Sequence, residues 1–410
     1  MVHRRAFLVA LFSATAGCLN GQQRPSGSSD TTTTPATHSP TASPTTTAKA
    51  TDDSTPEPSC NTSWNPTVRW SFETEIRAFQ PSVENGTVYV GSQDDILRAV
   101  AANSGAFHWE TPAETGFGST PIASDQIVTY AGYNEVAAYD TVNGHERWSF
   151  SPPGERASLT PHHGDNGQFV FVGASQRPTP QTDPKPVYDR LYALDRSDGS
   201  QQWVVSLVED GTDRWVVPAS VTATKDRVFV ISKGGELVVL DPRDGAELWR
   251  RRLDARYSGT APPVVHGGRV YQHVGDEVYV LDIETGDTTS HTAADAAPAV
   301  ASDVSYWVRD SAVVARSTDD WSTKWRAVIP DGGCTGRPAI GENAVYVPTG
   351  CYDGNAKLYA LGKQDGCVLG SFEIESATAT MPVVAEGSVL VGGKNGAGNV
   401  WSLTTFSDSS

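Results

Sequence analysis

One pattern recurs along this chain too often to be accidental: an apolar strand, an aspartate, a short turn, a glycine, and a tryptophan four positions after the glycine. It runs Asp140, Gly144, Trp148, then Asp195, Gly199, Trp203, then Asp241, Gly245, Trp249, and begins again at Asp282 and Gly286. Weaker copies set Gly105 before Trp109, Trp321 before Trp325, and Gly366 before Gly370, while Ser290 and Gly370 stand where the tryptophan is missing. A single Asp-x-x-Asp-Gly stretch such as Asp241–Gly245 invites a calcium-loop reading, because such loops space carboxylates ahead of a glycine. Repetition argues for a turn instead. Aspartate oxygens accept local backbone N–H groups, and glycine takes the positive φ that a tight turn requires.

A second marker keeps step with the first. A proline opens a short apolar segment at Pro81, Pro121, Pro161, Pro218, Pro262, Pro298, Pro338 and Pro382. Between each proline and the following tryptophan slot lies another β-rich run such as Val88–Val90, Phe169–Val172 or Val228–Ile231. Each unit therefore holds four short strands, a to d, joined by Asn-, Asp- and Gly-rich turns, which is the pattern of an antiparallel meander. A period of roughly 40 to 45 residues is that of a propeller blade. Trp70 lies on a d-strand with no a, b or c before it, and the unit from Pro382 to about Phe406 has a, b and c but no d. The two halves make one blade, so the fold class is all-β. The expected architecture is an eight-bladed β-propeller, closed where an N-terminal d-strand pairs with the C-terminal a, b and c strands and removes the open edges.

The repeat, Leu-Tyr-Ala-Leu-Asp-x-x-x-Gly-x-x-x-Trp in its fullest copy from Leu191 to Trp203, resembles that of the pyrroloquinoline quinone (PQQ)-type β-propeller proteins. The resemblance covers residues 60–406. It implies that Trp70, Trp109, Trp148, Trp203, Trp249 and Trp325 dock between neighbouring blades. Among such proteins the chain is most similar to the BamB lipoproteins of outer-membrane β-barrel assembly, which implies a protein-binding scaffold. WD-repeat propellers lack the Gly-x-x-x-Trp spacing. The repeat is named for quinone dehydrogenases, so a PQQ-dependent enzyme with calcium is the alternative implied by the same resemblance. Those enzymes are much longer, many carry adjacent cysteines, and here no two cysteines adjoin. No catalytic residue, metal ligand or cofactor is expected. His162, His163 and Asp165 are read as a polar inner strand facing the channel rather than a metal site, and no nucleophile elbow, P-loop or Cys-x-x-Cys motif is present.

Residues 1–18 read as an export signal. Arg4 and Arg5 precede an apolar run from Ala6 to Phe12, about half the roughly 20 residues a membrane-spanning helix requires. Paired arginines resemble a twin-arginine signal, and Thr15-Ala16-Gly17-Cys18 resembles a lipobox, with Cys18 as the lipid acceptor. Residues 19–59 are Ser-, Thr- and Pro-rich, without the apolar side chains a core requires, and are expected to form a disordered stalk. The expected location is the outer face of the cytoplasmic membrane, held there through the lipid alone, with the propeller a monomer. Asn61-Thr62-Ser63 and Asn85-Gly86-Thr87 match the N-glycosylation pattern. With 48 acidic against 31 basic residues the net charge is −17, which argues against nucleic acid as a partner and fits a halophilic, haloarchaeal source.

Four further cysteines, Cys60, Cys334, Cys351 and Cys367, lie in the exported part, where disulfides form. Three pairings are open on sequence alone. Strand direction ranks them: Cys334 and Cys351 fall at one end of the seventh blade, and Cys367 falls at the other end, beside Cys60 of the closing blade. The ranking gives Cys334 with Cys351 and Cys60 with Cys367. The d-to-a and b-to-c connections are the longer ones, including an insertion from Ala174 to Asp189, so binding is expected on that face. Basic and aromatic residues gather there just ahead of the blade prolines: Arg77 with Phe79, Phe117, Arg156, Arg214 with Trp215, Arg256 with Tyr257, and Arg337. Both residue types are enriched in binding hot spots, so the partner expected is another protein or an extended peptide. Pairing of these arginines with acidic side chains of neighbouring blades is the competing structural reading.

Overall fold

The computed structural model describes residues 60, 63–113, 119–153, 157–160, 162–176, 189–208, 217–253, 261–330, 336–350, 356–374, 376, 379–393 and 398–405. No helix occurs among the described residues. Eight antiparallel sheets form a ring, each with strands in the sequential order a-b-c-d. The eighth closes as the half-units require: Val68–Thr74 is strand d beside Gly398–Thr404, Ser388–Gly392 and Val383–Ala385. Trp70 lies opposite Ser402 and Phe72 opposite Val400 across that seam.

Register explains the composition of the c-strands. Trp109, Trp148, Trp203 and Trp325 lie directly opposite Ala99, Ala138, Ala193 and Ala315, and Trp249 opposite Val239. A small residue leaves room for the indole, and the register shifts at the next c-strand position in each of these pairs. Such a bulge sharpens local twist and turns the ring toward the following blade. There each indole Nε1 donates to a backbone carbonyl just past strand c: Trp70 to Ala102 at 2.9 Å, Trp109 to Thr141 at 3.0 Å, Trp148 to Arg196 at 2.9 Å, Trp203 to Pro242 at 2.9 Å, Trp249 to Ile283 at 2.9 Å and Trp325 to Lys363 at 3.1 Å. Burying an indole without such a partner would cost on the order of 1–3 kcal/mol.

The turn glycines complete the joint. Gly245 has φ 73°, and a Cβ there would lie 2.7 Å from Val205 and 2.9 Å from the Trp203 ring of the preceding blade. The same junction of glycine against tryptophan recurs at Gly105, Gly144, Gly199, Gly286 and Gly366. Glycine is therefore required twice over at these turns, by backbone sign and by space. The aspartates act as caps: Asp241 accepts from the Arg243 N–H at 2.9 Å, and Asp282 from Glu284 and Thr285 at 2.9 Å.

Blade 3 departs from the regular form. Its inner strand is broken into Ala157–Leu159 and Gly164–Asp165, both paired to the long strand Phe169–Gln176. The histidine pair sits at the break and splits: His162 is exposed and bridges to Ser220 of blade 4, while His163 is buried with Nε2 2.9 Å from Thr129 Oγ1 of blade 2. Asp165 is taken by Arg196 at 2.8 Å. His163 therefore joins two blades instead of facing the channel, and the three side chains do not converge. Arg196 also donates to the carbonyls of Ser124 at 2.6 Å and Ile127 at 2.8 Å, bracing blade 3 against blade 2.

Candidate functional site

The two faces differ as strand direction dictates. The a-to-b and c-to-d turns form one, and their side-chain hydrogen bonds are spent locally, as at Asp140 and Asp241. Asp241 is held down to about 2, first by its hydrogen bond from the Arg243 side chain and then by that residue's N–H. Asp140 is lowered chiefly by Arg147 and Asp282 by the N–H groups of Thr285 and Glu284. Carboxylates whose acceptor capacity serves their own turn are poor candidates for metal binding. Among the described residues no cluster of three or more His, Cys, Asp or Glu side chains is placed to hold a metal ion.

The opposite face carries the d-to-a and b-to-c connections. Of the residues expected to form its patch, Arg77, Phe79 and Arg337 are described, whereas Phe117, Arg156, Arg214, Trp215, Arg256 and Tyr257 lie outside the described residues. Arg77 is exposed and its carbonyl accepts from Gln93 N–H at 3.0 Å. Phe79 is half-buried, its N–H bonded to the Gly91 carbonyl at 2.9 Å. Arg337 stands apart from both, because it lines a cavity of about 360 Å³ on the inner rim of the ring. The walls come from the a-strands of blades 6 and 7 and the segments leading into blades 8 and 1, with Gln80 and Met381 as the other long side chains.

Gln80, Arg337 and Met381 each stand immediately before a blade proline. A residue before proline is pushed to extended backbone. At the start of an inner strand, that conformation carries these three to the cavity wall. Of these three, only Arg337 belongs to the basic and aromatic pattern ahead of the prolines; the position immediately before each proline is the signal that also marks Gln80 and Met381. Arg337 is half-buried, and the surrounding protein pushes its pKa down through loss of water.

Cys60 and Cys367 are joined by a disulfide with Cα atoms 5.5 Å apart, tying the chain ahead of strand d of blade 8 to the start of strand d of blade 7. Cys334 and Cys351 lie outside the described residues, as do Arg4, Arg5 and Cys18 of the expected signal.

Comparison with known proteins places this geometry. The family model described as outer membrane protein assembly factor BamB matches residues 60–177 and 187–333. A curated BamB from Nitrosomonas eutropha is 25% identical over 190 residues, covering 46% of this chain and 42% of the relative. The chain thus spans less than half the length of the curated relatives it matches. Among solved structures, BamB from Moraxella catarrhalis superposes with a TM-score of 0.62 at 18% identity, covering 85% of this chain and 99% of that one. The quinohemoprotein alcohol dehydrogenase from Comamonas testosteroni gives 0.61 at 13% identity, covering 83% and 76%. At these identities the structural likeness is one of fold. With the family model matching most of the propeller, the chain belongs to the BamB family of outer membrane protein assembly factors.

Proposed function

We propose that this chain is an exported, membrane-associated scaffold whose long-loop face binds another protein. The observation that carries the reading is the contrast between the faces. One is closed by turns whose hydrogen bonds are internal, and the other carries the longer connections between strands on a rigid frame, where binding ordinarily resides. Membership of a family named for membrane-protein assembly supports it. Fold alone would not, since propellers of this shape also house oxidoreductases. A lipid on Cys18, a twin-arginine route through Arg4 and Arg5, and attachment at the outer face of the cytoplasmic membrane belong to the same proposal.

The quinoprotein reading asks for calcium ligands and a carboxylate base at the channel. The described lining of the cavity provides one guanidinium, one amide and apolar walls, with no carboxylate. Those residues do not fit a quinone–calcium centre, and no step is derived through one.

Photo-crosslinking separates the readings. A crosslinker at Tyr133 or Lys233, exposed on the long-loop face, is expected to trap a discrete protein in native membranes. The same group at exposed Asn143 or Asp244, on the turn face, is expected to trap none. Equal trapping from both faces refutes the assignment, and a stoichiometric quinone found by absorbance and mass spectrometry on the native protein would overturn the scaffold reading altogether.

A further inference from the structure

The chain is acidic, and its arginines are largely spoken for. Arg98 meets Asp94 at 2.7 Å, Arg147 meets Asp140 at 2.6 Å, Arg196 meets Asp165 at 2.8 Å, and Arg251 meets Asp287 at 2.7 Å. Arg337 breaks the rule. Among the described residues no hydrogen bond or ion pair reaches its guanidinium, and nothing charged offsets its loss of water. Holding a cation in a partly dry wall without a counter-ion is unfavourable, and that cost is recovered only when an anion arrives. Of the eight residues that directly precede the blade prolines, Arg337 is the sole charged one. The cavity it serves, about 360 Å³, is otherwise walled by alanine, valine, isoleucine, proline and Met381, with the Gln80 amide as a second donor.

We propose that this rim cavity is a carboxylate receptor, in which Arg337 pairs with an aspartate or glutamate side chain carried by an extended segment of the partner protein. The inference rests on the scaffold reading and gives it a chemical address. A guanidinium engages a carboxylate through two parallel N–H···O bonds, Gln80 supplies a further donor, and the apolar walls receive small side chains flanking the acid. A volume of this size sits at the small end of ligand cavities, so it takes one acidic side chain and its neighbours rather than a folded element. The acidic surface elsewhere repels a generally acidic partner, which restricts recognition to a carboxylate delivered to this point.

Met381 makes the test direct, because the sequence holds two methionines, Met1 and Met381, and the second lines the cavity. The full chain is labelled with methyl-13C methionine and titrated with acetyl-Ala-Glu-Val-amide, with its Gln counterpart, and with propionate. The Glu peptide is expected to shift the Met381 methyl resonance saturably. The Gln peptide and propionate are expected to bind at least tenfold more weakly, and Arg337→Gln to weaken the Glu peptide at least tenfold while Arg337→Lys retains part of the affinity. The contrast between the two peptides on the unaltered protein needs no variant to fold. No saturable shift, equal affinity for both peptides, or affinity indifferent to Arg337→Gln would each overturn the receptor. Propionate binding as tightly as the Glu peptide would overturn the assignment to a protein segment and make this a small-anion site. Should crosslinking from Tyr133 persist while Met381 stays silent, this site fails and the scaffold stands; loss of both removes the scaffold too.

Discussion

The junction between blades 5 and 6 offers the sharpest test of how the ring is held. At six other junctions a turn glycine of one blade abuts the tryptophan of the blade before, but here the tryptophan slot holds Ser290 and the glycine slot holds Trp321. The two have been exchanged. Trp321 keeps the left-handed backbone of the glycine it replaces, with φ 63°, and its ring lies 6.2 Å from Tyr271 on strand b of blade 5. That is the contact the resident tryptophan makes in other blades, as Tyr89 with Trp109 at 6.0 Å and Phe171 with Trp203 at 5.8 Å. Trp307 at 6.2 Å and the Arg269 guanidinium at 5.4 Å complete its surroundings. Replacing Trp321 by glycine removes a half-buried indole. That costs about 2 to 3 kcal/mol, below the 3 to 5 typical of full burial, and relief of positive φ returns about 1. The net expectation for Trp321→Gly is a loss of about 1 to 2 kcal/mol. Ser290→Trp alone meets an occupied slot and costs about 1 to 3 kcal/mol through overpacking. Together the two changes rebuild the arrangement of those six junctions, so the double variant is expected to stand within about 1 kcal/mol of the parent, with a favourable coupling of at least about 1. Equilibrium unfolding in urea of all four proteins measures it. Additive losses, with the double variant the least stable, would refute the exchange.

Three more expectations follow from the same geometry. Gly86→Ala and Gly245→Ala both place a Cβ at φ near 74°, but the first meets open space and the second meets Val205 and Trp203; the first is expected to cost about 1 kcal/mol and the second about 1 to 3 more, and equal urea midpoints would show that the joint is loose. Because Cys60 and Cys367 are 307 residues apart in sequence, Cys367→Ser is expected to lower stability by up to about 5 kcal/mol on the chain-entropy account, with a peptide map of the parent showing that bridge and also Cys334 joined to Cys351; a Cys351–Cys367 peptide would overturn the pairing. The capping aspartates fix the pH response: their folded pKa values lie below the ordinary value of about 4, as with about 2 for Asp241, so the unfolded chain takes up protons first. Their stabilisation is complete above about pH 4 and is lost as pH falls toward 2, and changing Asp140, Asp241 and Asp282 to Asn together is expected to flatten that slope in acid unfolding. An unchanged slope would place the acid-sensitive groups elsewhere.

Blade number, strand order, closure and the Cys60–Cys367 bridge were legible in the sequence because each follows from a repeating local pattern. Proline, glycine and tryptophan in fixed phase specify a strand and its turns, and counting them specifies the ring. What escaped the pattern were residues acting by substitution. Trp321 reads as a defective glycine position, and nothing local tells that its indole fills the slot left empty by Ser290. His163 reads as an inner-strand residue, yet the break in blade 3 turns it against Thr129. Gln80 and Met381 belong to blades 1 and 8 while Arg337 belongs to blade 7, and only curvature of the ring brings the three to one cavity. The face proposed for binding is marked in the sequence by its loop lengths, and among the described residues the chemistry proposed for it rests on Arg337.

The seam shows why this ring is closed by more than a strand. Blade 7 also lacks its tryptophan, with Gly370 in the slot. The vacancy is filled from the other end of the chain by Trp64, whose N–H donates to the Leu369 carbonyl at 2.7 Å and whose Nε1 donates to the Thr404 carbonyl at 3.0 Å. Its ring meets Tyr346 of strand b at 5.5 Å, repeating the contact seen inside regular blades. Gly370 is glycine for that reason, since a Cβ there would collide with the Trp64 carbonyl. A tryptophan at 370 would have completed blade 7 without the N-terminal segment. Moving that indole onto the N-terminal segment makes the last inter-blade joint depend on both chain ends, and the Cys60–Cys367 bridge lies beside it. Strand pairing alone would let the closing blade fray from its d-strand inward; with Trp64 docked, opening the seam must also expose a buried indole. Trp64→Ala should therefore destabilise the parent by about 3 to 5 kcal/mol and speed hydrogen exchange at Trp70 and Phe72 before that of blades 2 to 4, whereas uniform acceleration around the ring would show that the seam is not where this propeller opens.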